Sequence, residues 1–185
     1  MIQIYCGDGK GKTTAAVGLS VRAAGSGIPV LFVQFLKDDS SGEISVLKQI
    51  KDVTVMHAEV DYGFVNSMTS EQLKATRKEY ESMLTGIEEW LQHILFLGGK
   101  DENCKQSRIC AAVILDEILH ACNYGLVSEE ELYSMLKKYS ARVEFVLTGR
   151  NPSAKMKETA DYISEIENRK HPYEQGVTAR KGIEY

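Results

Sequence analysis

Apolar and polar positions along this 185-residue chain switch repeatedly between a period of two and a period near 3.6. Ile2, Ile4 and Tyr5 lead into Cys6 as a short strand. From about Lys12 to Ala24, Ala15, Ala16, Leu19 and Ala23 recur at helical spacing until Gly25 and Gly27 end the pattern. Small residues on that face let the helix lie close to a sheet. Pro29 to Leu36 is nearly continuous apolar sequence, the pattern of a strand buried on both faces, and predicts a parallel sheet. Residues 37–43 read as loop, Ile44, Leu47 and Ile50 as a helical stripe, and Val53 to Ala58 as a third strand. Beyond an irregular stretch from Asp61 to Ser67, Thr69 and Gln72 form a capping box. They open a long helix whose stripe runs from Leu73 through Tyr80, Ile87, Trp90 and Leu91 to Leu95, with Gly98-Gly99 as its stop. Such a stripe predicts core. Gly98 to Ser107 is a polar insertion, and Ala111 to Glu117 is an apolar strand ending in two carboxylates. Ser128 and Glu131 cap a helix through Leu132, Met135 and Leu136, and Arg142 to Leu147 forms the next strand. Asn151-Pro152 supplies the cap and first position of a helix through Met156 and Ala160. Tyr162 to Ile166 reads as a last core strand and the residues from Lys170 to Tyr185 as a polar tail. Residues 1–185 are thus expected to form a single α/β domain, a mostly parallel sheet of five or six strands with helices on both faces.

Composition narrows the function classes. Hydrophobic residues at 43% and charged residues at 26% are ordinary globular values. A net charge of −4 leaves no polycationic footprint, which argues against nucleic acid as a partner. No apolar run approaches the roughly 20 residues of a membrane span, and no basic segment precedes a signal core, so a cytoplasmic protein without a membrane partner is expected. Cys6, Cys104, Cys110 and Cys122 show no C-x-x-C pair and read as reduced thiols, and the four histidines are too scattered for a metal site.

The chemistry concentrates in Cys6-Gly7-Asp8-Gly9-Lys10-Gly11-Lys12-Thr13-Thr14, set between a strand and a helix. Glycines let the backbone curl and aim N–H groups at phosphate, Lys12 reaches outer phosphates as an exposed loop lysine, and the Thr13 hydroxyl suits Mg²⁺. The positive end of the following helix adds to this. The usual phosphate-loop pattern has a glycine where Cys6 stands, and Gly7 and Gly9 are expected to replace its flexibility. Asp116 and Glu117, at the carboxyl end of an apolar strand, form a Walker-B pattern facing that loop, where Mg²⁺ on a triphosphate needs a carboxylate.

Together the motifs resemble the ATP:corrinoid adenosyltransferases of the CobA/BtuR type. The resemblance rests on Gly7 to Thr14, Val33 to Lys37, Leu115 to Glu117, Thr148 to Arg150, Ala160-Asp161 with Ser164-Glu165, Lys170 to Pro172 and Gly182 to Tyr185, in the family's order. It implies a RecA-like P-loop fold, a homodimer, ATP and a corrinoid as substrates, and an electron donor such as a reduced flavoprotein. The implied reaction moves the 5′-deoxyadenosyl group of ATP to reduced cobalt and releases triphosphate, with ATP reversed in its loop. Lys12, Thr13 and Glu117 would then be catalytic, and Thr13, Glu117 and Asp116 would hold Mg²⁺. Residues from Gly7 to Thr14, that is Gly7, Asp8, Gly9, Lys10, Gly11, Lys12, Thr13 and Thr14, would bind the nucleotide. Arg22 and Arg150 match family arginines and are either nucleotide contacts or surface ion-pair partners. Phe64 matches an aromatic that packs on the lower corrinoid face, or else anchors its loop in the core; Asn66 stands where a Trp is usual. Family members also carry an N-terminal cover for the corrinoid, whereas this chain opens directly on its strand, so the cover is expected to be absent or replaced. Two other functions fit a phosphate loop: a small-molecule kinase, and a nucleotide- or corrinoid-dependent switch without turnover.

Overall fold

A computed structural model describes residues 1–37, 41–60, 62–98, 109–170, 176, 178 and 180–183. Its elements are β1 (Ile2–Cys6), α1 (Lys12–Gly25), β2 (Val30–Gln34), α2 (Gly42–Leu47), β3 (Val53–His57) and a 3₁₀ turn (Val65–Ser67). They continue with α3 (Ser70–Gly98), β4 (Ala111–Asp116), α4 (Ile118–Asn123), α5 (Glu129–Tyr139), β5 (Val143–Thr148), α6 (Ala154–Thr159) and β6 (Tyr162–Glu165). The six strands form one sheet in the order β3-β2-β4-β5-β1-β6. Every pairing is parallel, as the continuous apolar runs of β2 and β4 predict.

Strand alternation divides the core in two. Ile2, Ile4, Leu31, Val33, Val113, Leu115, Phe145 and Leu147 face α3, α4, α5 and α6 on one side. On the other, Val30, Phe32, Ala112, Ile114 and Val146 meet the buried Ala16, Ala23 and Ala24 of α1 and Ile44 and Leu47 of α2. Helices therefore cover both faces. The alanines of α1 allow close seating, and the stripe of α3 buries Tyr80, Met83, Ile87 and Leu91, with Trp90 packed against them. The Thr69 capping box forms in full, the Thr69 N–H donating to Gln72 Oε1 at 2.8 Å while the Gln72 N–H donates to Thr69 Oγ1 at 3.2 Å; at Ser128 the cap bond forms, its Oγ accepting from the Glu131 N–H at 3.3 Å.

Several expectations need correction. Tyr162 to Glu165 is a strand but not a core strand; β6 lies at the sheet edge with all four residues exposed. The helix expected to open at Asn151-Pro152 opens instead at Ala154, because Asn151 has φ 49° and Ser153 Oγ accepts the Met156 N–H at 3.1 Å. Helix α4 is not foreseen at all. Its N-cap is Glu117, which makes no side-chain cap, so no capping signal exists to be read. Cys6 and Cys122 are free thiols, whereas Cys110 is disulfide-bonded, a pairing that needs no C-x-x-C spacing. The polar insertion lies, from residue 99 to its end, outside the described residues.

Candidate functional site

Six parallel strands put all their carboxyl ends on one edge, and the polar residues predicted to act on phosphate gather there. Gly7, directly after β1, has φ 106°, and a Cβ on it would lie 2.3 Å from the Ile166 carbonyl oxygen. Only glycine fits without displacing the end of β6. The loop is tied to that segment by the Gly9 N–H donating to the Ile166 carbonyl at 2.8 Å and the Asn168 N–H donating to Asp8 Oδ1 at 3.0 Å. The latter bond holds the Asp8 carboxyl below its ordinary range. Lys10 Nζ donates to the Ile183 carbonyl. Lys12 is not the exposed lysine expected from a loop: it opens α1 at 8% exposure, and its Nζ donates to the Gly9 carbonyl at 2.7 Å. Burial, and then the charge of Arg150, lower its pKa.

Asp116 closes β4 and is wholly buried. Its Oδ1 accepts from Thr13 Oγ1 at 2.9 Å and from Thr148 Oγ1 at 2.7 Å. Its Oδ2 faces Gln34 Nε2 at 3.4 Å and Lys37 Nζ at 3.6 Å. Burial raises its pKa, with Lys37 the strongest opposing influence. Glu117 follows at φ 61°, its N–H donating to Thr148 Oγ1 at 2.9 Å and its carboxylate meeting His120 Nδ1. Burial alone pushes the Glu117 carboxyl up, but the hydrogen bond and charge of His120, with Lys37 and Lys12, outweigh it and leave the group below its ordinary range. The left-handed turn separates the two acids: Asp116 lies behind the loop, and Glu117 looks onto a cleft.

That cleft has a volume of about 970 Å³. Asp8 to Thr14, Glu117, Lys37 and Arg150 line it, and Val17 and Val21 of α1 with Val46 and Leu47 of α2 give it an apolar wall. Its size and mixed lining suit a nucleotide-sized ligand. Thr13, Asp116 and Glu117 supply hard oxygen donors beside the loop, and among the described residues no group of three His, Cys, Asp or Glu side chains is placed to hold a metal. A few protein oxygens, completed by phosphates and water, are what Mg²⁺ takes, so the residues fit that ion. Beneath the cleft, Gly149 has φ 142°, and a Cβ there would lie 2.7 Å from Leu119 Cβ and 3.1 Å from the His120 nitrogen. Gly149→Ala is expected to cost about 2 kcal/mol or more by combining strain with overpacking. An unchanged urea midpoint would show that α4 yields freely.

The model of the family described as ATP:corrinoid adenosyltransferase BtuR/CobO/CobP matches residues 1–185. This chain belongs to the ATP:corrinoid adenosyltransferase family. The corrinoid adenosyltransferase CobA of Salmonella typhimurium is 30% identical over 186 residues, covering 100% of this chain and 85% of that protein. The corrinoid adenosyltransferase of Sinorhizobium sp. is 30% identical over 190 residues, covering 100% of this chain and 80% of its own. That of Pseudomonas aeruginosa is 27% identical over 186 residues, with 100% and 83% covered.

In this chain the loop residues, Glu117 and Arg150 line one cleft, and Asp116 stands directly behind them. Arg22 is elsewhere. It sits in the last turn of α1, exposed and ten residues beyond Lys12, about 15 Å along the helix axis. Phe64 is 88% exposed, which removes the reading of it as a core anchor; its carbonyl accepts from the Ser67 N–H and hydroxyl. Thr148, Gln34, Lys37 and His120 surround the acids but are absent from the expected site residues. Three of them carried a signal: Gln34 and Lys37 lie in the Val33 to Lys37 motif and Thr148 opens the Thr148 to Arg150 motif, and Gln34 and Thr148 are also polar residues at the carboxyl ends of otherwise apolar strands. His120 carried none, because α4 was invisible.

Proposed function

We propose that this chain, acting as a single domain, transfers the 5′-deoxyadenosyl group of ATP to the reduced Co(I) centre of a corrinoid and releases triphosphate. The reading is carried by the convergence of Lys12, Arg150 and the loop N–H groups on one cleft, with a carboxylate pair beside them, in a chain of this family. The cobalt lone pair attacks the ribose 5′ carbon, a Co–C bond forms, and the C–O bond breaks with its electrons leaving on the triphosphate oxygen. The nucleophile belongs to the substrate, so the chain needs no activated Ser or Cys and no general base. What it supplies is placement and charge. Lys12 and the loop N–H groups stabilise negative charge growing on the leaving group, and Arg150 adds a second cation at the cleft mouth. Thr13 and Glu117 would hold Mg²⁺, with Asp116 fixing Thr13 from behind; when bound, the ion supplies further positive charge at the triphosphate. ATP lies reversed in the loop so that its 5′ carbon meets cobalt. The working protein is a cytoplasmic homodimer, and its electrons come from a donor such as a reduced flavoprotein. Supplying ATP, Mg²⁺ and chemically reduced corrinoid tests the reaction: triphosphate supports it, whereas ADP indicates a kinase and no product a switch.

Phe64 faces the lower side of the corrinoid in this reading, and Asn66 leaves that side less sealed than a second aromatic would. The motive is a large aromatic left 88% exposed on the connection between β3 and α3. Phe64→Ala is expected to leave stability within about 0.5 kcal/mol, as exposed substitutions do. It should lower the four-coordinate fraction of bound Co(II) corrinoid, because less water is excluded. Identical spectra for the two proteins would end the lower-face role.

A further inference from the structure

We propose that Lys37 is a third phosphate-binding cation of the cleft, beside Lys12 and Arg150, reaching the polyphosphate chain from the side of Asp116 opposite Thr13, and that Tyr80 positions it. The proposal deepens the reading of the cleft as an ATP site and rests on that reading.

The backbone is the first observation. The β2–β4 ladder continues one residue past β2, with the Phe35 N–H donating to the Asp116 carbonyl at 3.0 Å. Leu36 then turns to φ 58°, a left-handed conformation that costs a leucine energy and that glycine would adopt freely. Its surroundings enforce the turn. The Leu36 N–H donates to the hydroxyl of Tyr80 at 2.7 Å, the Leu36 side chain packs against the core, and the Tyr80 ring stands edge-on to Phe35 with centroids 5.0 Å apart. Tyr80 is itself buried in the middle of α3. Strain held in place by a buried partner points to something the turn achieves.

What it achieves is the placement of Lys37. Directly after the turn, Lys37 lines the cleft with its side chain 37% exposed and its Nζ 3.6 Å from Asp116 Oδ2. That separation is longer than a hydrogen bond, so the ammonium keeps donors for an incoming anion. A cation serving only to compensate Asp116 needs no enforced turn, since two hydroxyls and the Gln34 amide already face the carboxylate. Lys37 and Thr13 approach its two oxygens separately, which sets Lys37 across from the loop that carries Lys12.

The test is calorimetric binding of ATP, inorganic triphosphate and adenosine to the full chain. Lys37→Met should weaken ATP and triphosphate on the order of tenfold, the effect of losing one charge-assisted contact, and leave adenosine unchanged. Lys37→Arg should recover part of the loss, and Lys37→Gln, which also removes the charge, gives the same comparison if the Met variant does not fold. Tyr80→Phe removes one hydroxyl; it should weaken ATP several-fold in the wild-type background and not at all in Lys37→Met. Wild-type triphosphate affinity in Lys37→Met with only a lower melting temperature would make Lys37 a structural counter-ion and overturn the proposal. Equal effects of Tyr80→Phe in both backgrounds would overturn the positioning role. If the wild type itself binds no ATP, the underlying site reading fails; if it binds ATP and Lys37→Met binds it equally well, only the Lys37 role fails.

Discussion

Lys12→Met is expected to abolish most adenosyl transfer while leaving the chain folded. The structure makes methionine the informative replacement, because Lys12 is only 8% exposed and its stem occupies space that alanine would vacate. Methionine keeps that stem and removes the charge. In the absence of nucleotide the ammonium donates to the Gly9 carbonyl, so the loop loses one internal hydrogen bond, worth about 1 kcal/mol. In the proposed reaction the larger loss falls in the transition state, where charge would collect on the departing triphosphate. Removing one preorganised donor there costs about 2 to 4 kcal/mol in the barrier, a hundredfold or more in rate. Turnover at saturating ATP and corrinoid, set beside the urea midpoint, separates the two effects. Near-normal turnover in folded Lys12→Met would end the assignment of this loop to the leaving group.

Substitutions at the two acids should separate cleanly. Glu117→Gln is expected to raise the Mg²⁺ concentration for half-maximal activity on the order of a hundredfold, since Glu117 looks onto the cleft and its carboxylate is held ionised. Asp116→Asn should shift that concentration less and stability more. Asp116 already serves two hydroxyls through Oδ1, and an amide nitrogen at Oδ2 would oppose the donors of Gln34 and Lys37. Leaving such buried donors unmet costs about 1 to 3 kcal/mol. Titrating Mg²⁺ against activity, and Mn²⁺ against binding, gives the ranking without relying on turnover alone. The reverse order would mean that Asp116 is the direct ligand and Glu117 its support.

The legible parts of this molecule were those decided by neighbours in sequence. The strand, glycine loop and helix around Lys12 could be placed because a phosphate loop needs its residues consecutively, and the Thr69 and Ser128 caps because a cap acts over three positions. The Walker-B acids were legible as a pair, with Glu117 expected as the direct ligand and Asp116 as its support; the left-handed backbone of Glu117 that separates them is stated by no local pattern. Thr13, Asp116 and Thr148 meet only because β1, β5 and β4 are adjacent in the sheet, an arrangement of distant segments that no local pattern states. Tyr162 and Ile163 mislead for the same reason: adjacent β-forming residues mark a strand without saying that it lies at the edge. Lys12 misleads differently: the sequence places it in a loop, where lysines are usually solvated, and its burial comes from the close fold of that loop, whose Gly9 carbonyl accepts from its ammonium.

The position of β1 between β5 and β6 bears on how the molecule comes into being. Ile2 pairs with Phe145 and Gln3 with Tyr162, so β1 is translated well before both of its neighbours, which lie in the last quarter of the 185 residues. Until those segments leave the ribosome, β1 has open edges, and the loop behind it lacks the Ile166 carbonyl that fixes Gly9. Contacts of such long range close late and slowly, because the entropy of a large loop is spent before any pairing energy returns. On the proposed reading of the cleft, nucleotide affinity is expected only once β6 has docked, and a nascent chain halted before that strand would carry the motif without the Ile166 carbonyl that ties Gly9.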